Sequence, residues 1–75
     1  MSSDFYINKE QAENKGATFW VGQGGGGIAD FPDYPYVREF SLGNNGKEIH
    51  ISCSGKFRSW LTEWLDENNI DYEKV

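Results

Sequence analysis

Val37-Arg38-Glu39-Phe40-Ser41-Leu42-Gly43-Asn44-Asn45-Gly46-Lys47-Glu48-Ile49-His50-Ile51-Ser52-Cys53 is the stretch on which the fold turns. Two alternating runs, 37–42 and 47–53, flank a cluster of turn residues, the pattern of a β-hairpin. Asparagine tolerates positive φ, so Asn44-Asn45 suits a two-residue type I′ turn. That turn sets Leu42 opposite Lys47, Phe40 opposite Ile49, Arg38 opposite Ile51 and Tyr36 opposite Cys53. Phe40, Leu42, Ile49, Ile51 and Cys53 then share one face. Glu39, Ser41, Glu48, His50 and Ser52 share the other. A one-residue slip would mix the two sets.

The apolar face needs a cover, and the next residues supply one. Ser54 is a good N-cap, and Phe57, Trp60, Leu61, Trp64 and Leu65 follow the i, i+3, i+4, i+7, i+8 spacing of an apolar helical stripe. Asn68 and Asn69 end it. A helix over about 55–68 is therefore expected to lay its rings on Phe40, Ile49 and Ile51. Ile70, Tyr72 and Val75 would follow as a short strand or a packed tail.

Upstream signals are weaker. Phe5-Tyr6-Ile7 reads as a short edge strand. Asn8, Gln11 and Gly16 could bracket two turns of helix, but Ala12 would be its only apolar residue, and an ordered loop fits as well. Ala17–Val21 is β-branched and aromatic, which suits a strand. Gly22–Gly27 reads as a glycine-rich loop. Residues 28–36 hold Pro32 and Pro35, which push Phe31 and Tyr34 toward extended geometry. That segment is expected to be extended and partly polyproline-like, not a central strand. The fold class is α+β in one domain, 1–75: a small antiparallel sheet of three to four strands on one C-terminal helix.

Size and composition narrow the function. A chain of 75 residues has no room for a second domain, and with one cysteine it has no internal disulfide. Only 37% of it is apolar, so the core must be built from rings, each burying about 150–250 Å². No run of about 18 apolar residues exists to cross a membrane. Met1-Ser2-Ser3-Asp4 lacks the basic and apolar regions of a secretory leader. A cytoplasmic setting, in the producing or a host cell, is the expectation.

Twelve acidic residues against seven basic give a net charge of −5. That disfavours direct nucleic-acid binding, which needs a basic surface, and favours a basic partner. It is also an ordinary charge for keeping a small domain soluble. The acidity is concentrated late: Glu63, Asp66, Glu67, Asp71 and Glu73 face Lys74 alone over 59–75. The helix charges oppose its dipole, with Lys56 and Arg58 at the positive end and Asp66 and Glu67 at the negative end.

No catalytic set is legible. His50 would face Glu39 across the hairpin, as an exposed charge pair or a base oriented by a carboxylate. Cys53 falls on the apolar face, where a free thiol behaves as a small hydrophobe. One His and one Cys cannot complete a zinc site, so neither metal nor cofactor is expected. Gly22-Gln23-Gly24 lacks the helix that a dinucleotide fingerprint requires after it.

Two binding readings follow. In the first, the protein is an acidic interaction module that inhibits or adapts a larger, basic-surfaced macromolecule, in the manner of phage-encoded modulators of host or defence systems, with nucleic-acid mimicry as its sharper form. Its contacts would be Asp30, Phe31, Asp33, Tyr34 and Tyr36, with Glu63, Asp66 and Glu67. In the second, it sequesters a small ligand or nucleotide. Gly24, Gly25 and Gly26 would close over the ligand, Trp20 or Tyr36 would stack on it, and Ser54, Lys56 and Arg58 would hold its phosphates. Self-association would add stability to so small a core.

Overall fold

A computed structural model describes residues 2–75. In chain order the elements are β1 (Ser2–Asn8), α1 (Lys9–Asn14), β2 (Thr18–Val21), β3 (Gly26–Asp30), β4 (Arg38–Gly43), β5 (Glu48–Ser54), α2 (Gly55–Glu67) and β6 (Tyr72–Lys74). The strands form one antiparallel sheet in the order β2-β3-β4-β5-β1-β6. The α+β class stands, with six strands where three or four were expected.

The hairpin keeps its faces but not its register. Ser41 pairs with His50, Leu42 with Ile49 and Gly43 with Glu48. The reversal lies one residue later than expected. Lys47 N–H donates to the Asn44 carbonyl at 3.2 Å, and Asn45 and Gly46 take φ of +57° and +84°. These are the central positions of a type I′ turn, and Asn-Gly is its preferred dipeptide. Moving the turn by one residue moves each pairing by two, which returns every side chain to its original face. The apolar and polar sets therefore survive intact.

The core is built from rings. All five phenylalanines are buried, with Ile7, Ile49, Ile51, Leu61 and Leu65 filling between them. Phe57, Leu61 and Leu65 are the buried stripe of α2, and Trp60 and Trp64 pack at its margin. Asn68 ends the helix, its side-chain amide donating to the Trp64 carbonyl at 2.8 Å. Ser54 occupies the N-cap position but its hydroxyl makes no capping bond.

Two segments differ from the sequence reading. The first strand runs over 2–8 and is internal, bonded to β5 on one side and β6 on the other. Its alternation, with Phe5 and Ile7 inward, is too short to show which edges it will meet. Asn8 does cap α1, its side chain accepting from Gln11 N–H at 2.9 Å. Gln11 then bonds Asp71, which ties α1 to the approach to β6.

The second difference is the glycine run. Only its first half is a turn, with Gly24 and Gly25 at φ of +82° and +85°. Gly26 and Gly27 belong to β3, a strand bonded on both sides, so residues 28–30 are part of a central strand, which the sequence reading excludes for this segment. A Cβ on Gly27 would collide with the Trp20 carbonyl and reach the Phe40 ring at 3.0 Å. Phe19 of β2 and Phe40 of β4 flank this strand and meet edge to face at 5.4 Å. A strand carrying glycine and Ala29 inward leaves the room those two rings fill.

Candidate functional site

Both helices and the core lie on one side of the sheet, so the alternate strand positions form a bare second face. Register places Asp4, Tyr6, Trp20, Ile28, Asp30, Glu39, Ser41, Glu48, His50, Ser52 and Glu73 there. Trp20 is 54% exposed and Ile28 37%. Five carboxylates thus share this face with one basic side chain, His50. Strands about 4.8 Å apart make a six-stranded face roughly 24 Å wide. That is the breadth of the whole molecule, 29 × 26 × 24 Å.

Near its centre a polar cluster joins β1 to β5, residues far apart in the chain. Asp4 accepts from the Ser52 hydroxyl at 2.7 Å and lies 3.3 Å from His50 Nε2. Tyr6 stacks on the imidazole at 4.5 Å and 13°. The Ser52 hydroxyl, and then His50, hold the Asp4 carboxyl below its ordinary range. Glu39 is therefore not the partner of His50. The two-residue shift in register sets Ser41 opposite the imidazole and gives the carboxylate role to Asp4.

Beside this cluster the sheet parts. The ladder between β4 and β5 covers only three pairs, while β4 goes on pairing with β3 and β5 with β1. An open concavity of about 780 Å³ lies over the gap, and Ile28, Arg38, Glu39, Ser41, His50 and Ser52 are among its lining residues. On the helix side, the Arg38 guanidinium sits 4.6 Å from the centre of the Phe57 ring. Cys53 is buried there, its thiol pushed up to about 11 chiefly by burial. A buried thiol so weakly acidic is no ready nucleophile.

The residues expected to bind a partner fall into three environments. Phe31 is buried, packed within 5.9 Å of Phe57, Trp60 and Trp64, and no partner can touch it. Its place in the core was not legible because prolines hide the periodicity of its segment. Tyr34 is half-buried against Phe57 and Trp60, while Asp33 and Tyr36 are exposed and Asp30 is half-buried at the end of β3. Glu63, Asp66 and Glu67 are exposed on α2, in the other layer from the bare face, and Asp66 accepts from the Tyr72 hydroxyl at 2.8 Å.

The expected nucleotide site does not assemble. Trp20 projects from the bare face, opposite the buried Phe19, whereas Ser54, Lys56 and Arg58 stand at the start of α2 beneath the sheet. Gly24 and Gly25 turn the β2–β3 hairpin, and Gly26 lies in the ladder. The sequence reading missed Asp4, Tyr6 and Glu73 on the bare face, because only long-range pairing brings them together. Among the described residues no group of His, Cys, Asp and Glu is arranged to hold a metal ion, and no helix is long and apolar enough to cross a membrane.

Comparison with protein-family models, curated proteins and solved structures returned no match.

Proposed function

We propose that the protein is a small acidic interaction module whose bare sheet face docks on the basic surface of a larger protein and masks it. The observation that carries this reading is the make-up of that face: five carboxylates around Trp20, Ile28 and Tyr6, with His50 the lone basic group. Exposed rings supply contact area at low entropic cost, and surrounding carboxylates steer a cationic partner and fix its orientation. The breadth of the face fits a macromolecular surface. Inhibition follows by occlusion, and where the covered surface binds nucleic acid, the carboxylates stand in for phosphates.

Affinity capture at low salt, followed by a salt step, tests this. The expected result is a retained protein that leaves as salt rises and is lost with Trp20→Ala or with Glu39, Glu48 and Glu73 all changed to Gln. Capture that ignores those changes but disappears when Glu63, Asp66 and Glu67 are neutralised moves the contact to α2 and overturns the assignment of the face. If the captured protein also binds DNA or RNA, competition between the two ligands is expected.

A further inference from the structure

The β2–β3 hairpin is set apart from the rest of the chain by its chemistry. Residues 16–29 carry no charged side chain, although charged residues make up 25% of the sequence. Trp20, Val21 and Ile28 of this hairpin stand exposed. β2 is also an outer strand of the sheet, and β6 is the other. The β6 edge is guarded, since Glu73 and Lys74 are two of its three residues. Charges and prolines are common guards of such edges. β2, Thr18-Phe19-Trp20-Val21, has neither.

The backbone shows which groups that edge offers. Gly22 N–H donates to the Gly26 carbonyl at 2.6 Å, closing the hairpin with a bonded pair. Antiparallel pairs alternate between bonded and non-bonded, so Trp20–Ile28 and Thr18–Asp30 are bonded, whereas Val21–Gly27 and Phe19–Ala29 are not. The N–H and C=O groups of Phe19 and Val21 therefore point away from β3, toward the outside of the sheet. Ala17 N–H, the next outward donor along the strand, is taken by the Ala12 carbonyl at 3.1 Å. Among the described residues no such bond reaches Phe19 or Val21.

We propose that a second copy of this chain pairs with that edge, β2 running antiparallel to β2 about a two-fold axis at Trp20. Trp20 then faces its own counterpart, and Phe19 and Val21 of one copy exchange backbone bonds with Val21 and Phe19 of the other. Residues opposite each other in an antiparallel pair share a face, so the two sheets become one and their bare faces lie side by side. An edge that pairs with itself in this way closes as a dimer and leaves no open end at β2. Charge selects the occupant. Two chains of net charge −5 repel, and the uncharged hairpin is where they can approach. A cationic partner finds no carboxylate on residues 16–29. Pairing also covers Trp20 and Val21, which stabilises a fold with so small a core. The dimer does not depend on the basic-partner reading.

Sedimentation velocity of the full chain alone tests this. Over a roughly hundredfold range of concentration the mass should rise from that of one chain toward that of two, as mass action requires. Added salt should strengthen the association by screening like charges, the reverse of its effect on docking to a basic protein, so the two readings fail separately. Val21→Pro removes an outward donor at an edge position where proline is tolerated, and should abolish the dimer. Val75→Lys, next to the β6 edge, should leave it unchanged. Trp20→Cys should cross-link under mild oxidation, because facing Cα atoms of a non-bonded antiparallel pair lie about 4.5 Å apart, within disulfide reach. Thr18→Cys, set opposite Gly22 of the other copy, should not. Cys53 is buried and leaves that readout clear. A native chain that stays monomeric throughout overturns the proposal. So does a dimer that persists in Val21→Pro, or one that cross-links through Thr18→Cys and not Trp20→Cys. The native chain and the cross-link decide the matter even where Val21→Pro does not fold.

Discussion

Phe31→Ala separates a core role from a binding role at one residue. Phe31 is 2% exposed, and its ring centre lies 6.0 Å from that of Phe19, 5.9 Å from Phe57 and Trp60, and 5.5 Å from Trp64. Truncating a phenylalanine in such a site costs about 3–5 kcal/mol, because the surrounding rings cannot all collapse into the hole. A chain of 75 residues at roughly 0.05–0.15 kcal/mol per residue has about 4–11 kcal/mol to lose. The change therefore removes from about a quarter of the stability to all of it. At about 4–8 °C per kcal/mol for a domain of this size, Tm should fall by about 12–40 °C. Urea unfolding followed by tryptophan fluorescence is the assay, since Trp60 and Trp64 border the hole. Tyr36→Ala, at a side chain 65% exposed, should stay within about 0.5 kcal/mol of the parent. Phe31→Leu should fall between the two. A Phe31→Ala protein within 1 kcal/mol of the parent would refute the placement of this ring in the core.

Gly27→Ala should cost about 1–3 kcal/mol in the same assay, because its Cβ meets the Trp20 carbonyl and Phe40 ring and β2 must part from β3. Gly24→Ala has open space but a φ of +82°, and should cost about 1 kcal/mol. Asp4 should titrate below the ordinary 3.8 when followed by carbonyl NMR, and Ser52→Ala should raise it toward that value. Since the folded pKa is the lower one, the stabilisation from Asp4 is complete above the unfolded value and is lost as pH falls through the folded one. Cys53, with its thiol near 11, should react slowly with a disulfide reagent at pH 8. Its thiolate fraction there is roughly two-hundredfold below that of a free cysteine, so urea-unfolded protein should react at least that much faster.

Local patterns carried much of the fold. The helical stripe from Phe57 to Leu65 and the two faces of the hairpin each repeat within a few residues, and both are present as read. Asn8 as a cap and Asn68 as a terminator are equally local. The exact turn was also within reach, because Asn45-Gly46 is a stronger type I′ signal than Asn44-Asn45. The candidate site was far less legible. Glu39 is on the bare face, but its importance there comes from Asp4, Glu48 and Glu73, which arrive from three other strands. Tyr34 and Arg38 meet Phe57 only because the proline segment crosses the start of α2.

By itself the sequence determined that a ring-built core had to lie between a hairpin and one amphipathic helix, since periodicity and composition are properties of neighbouring residues. Tertiary structure alone decided that the first strand is internal, that half of a glycine run is a strand beneath two phenylalanine rings, and that Phe31 is core. It also decided that the carboxylates divide between the bare face of the sheet and the helix layer. Those outcomes depend on which strand edges pair, and the free energy of that pairing comes from contacts between residues far apart in the chain.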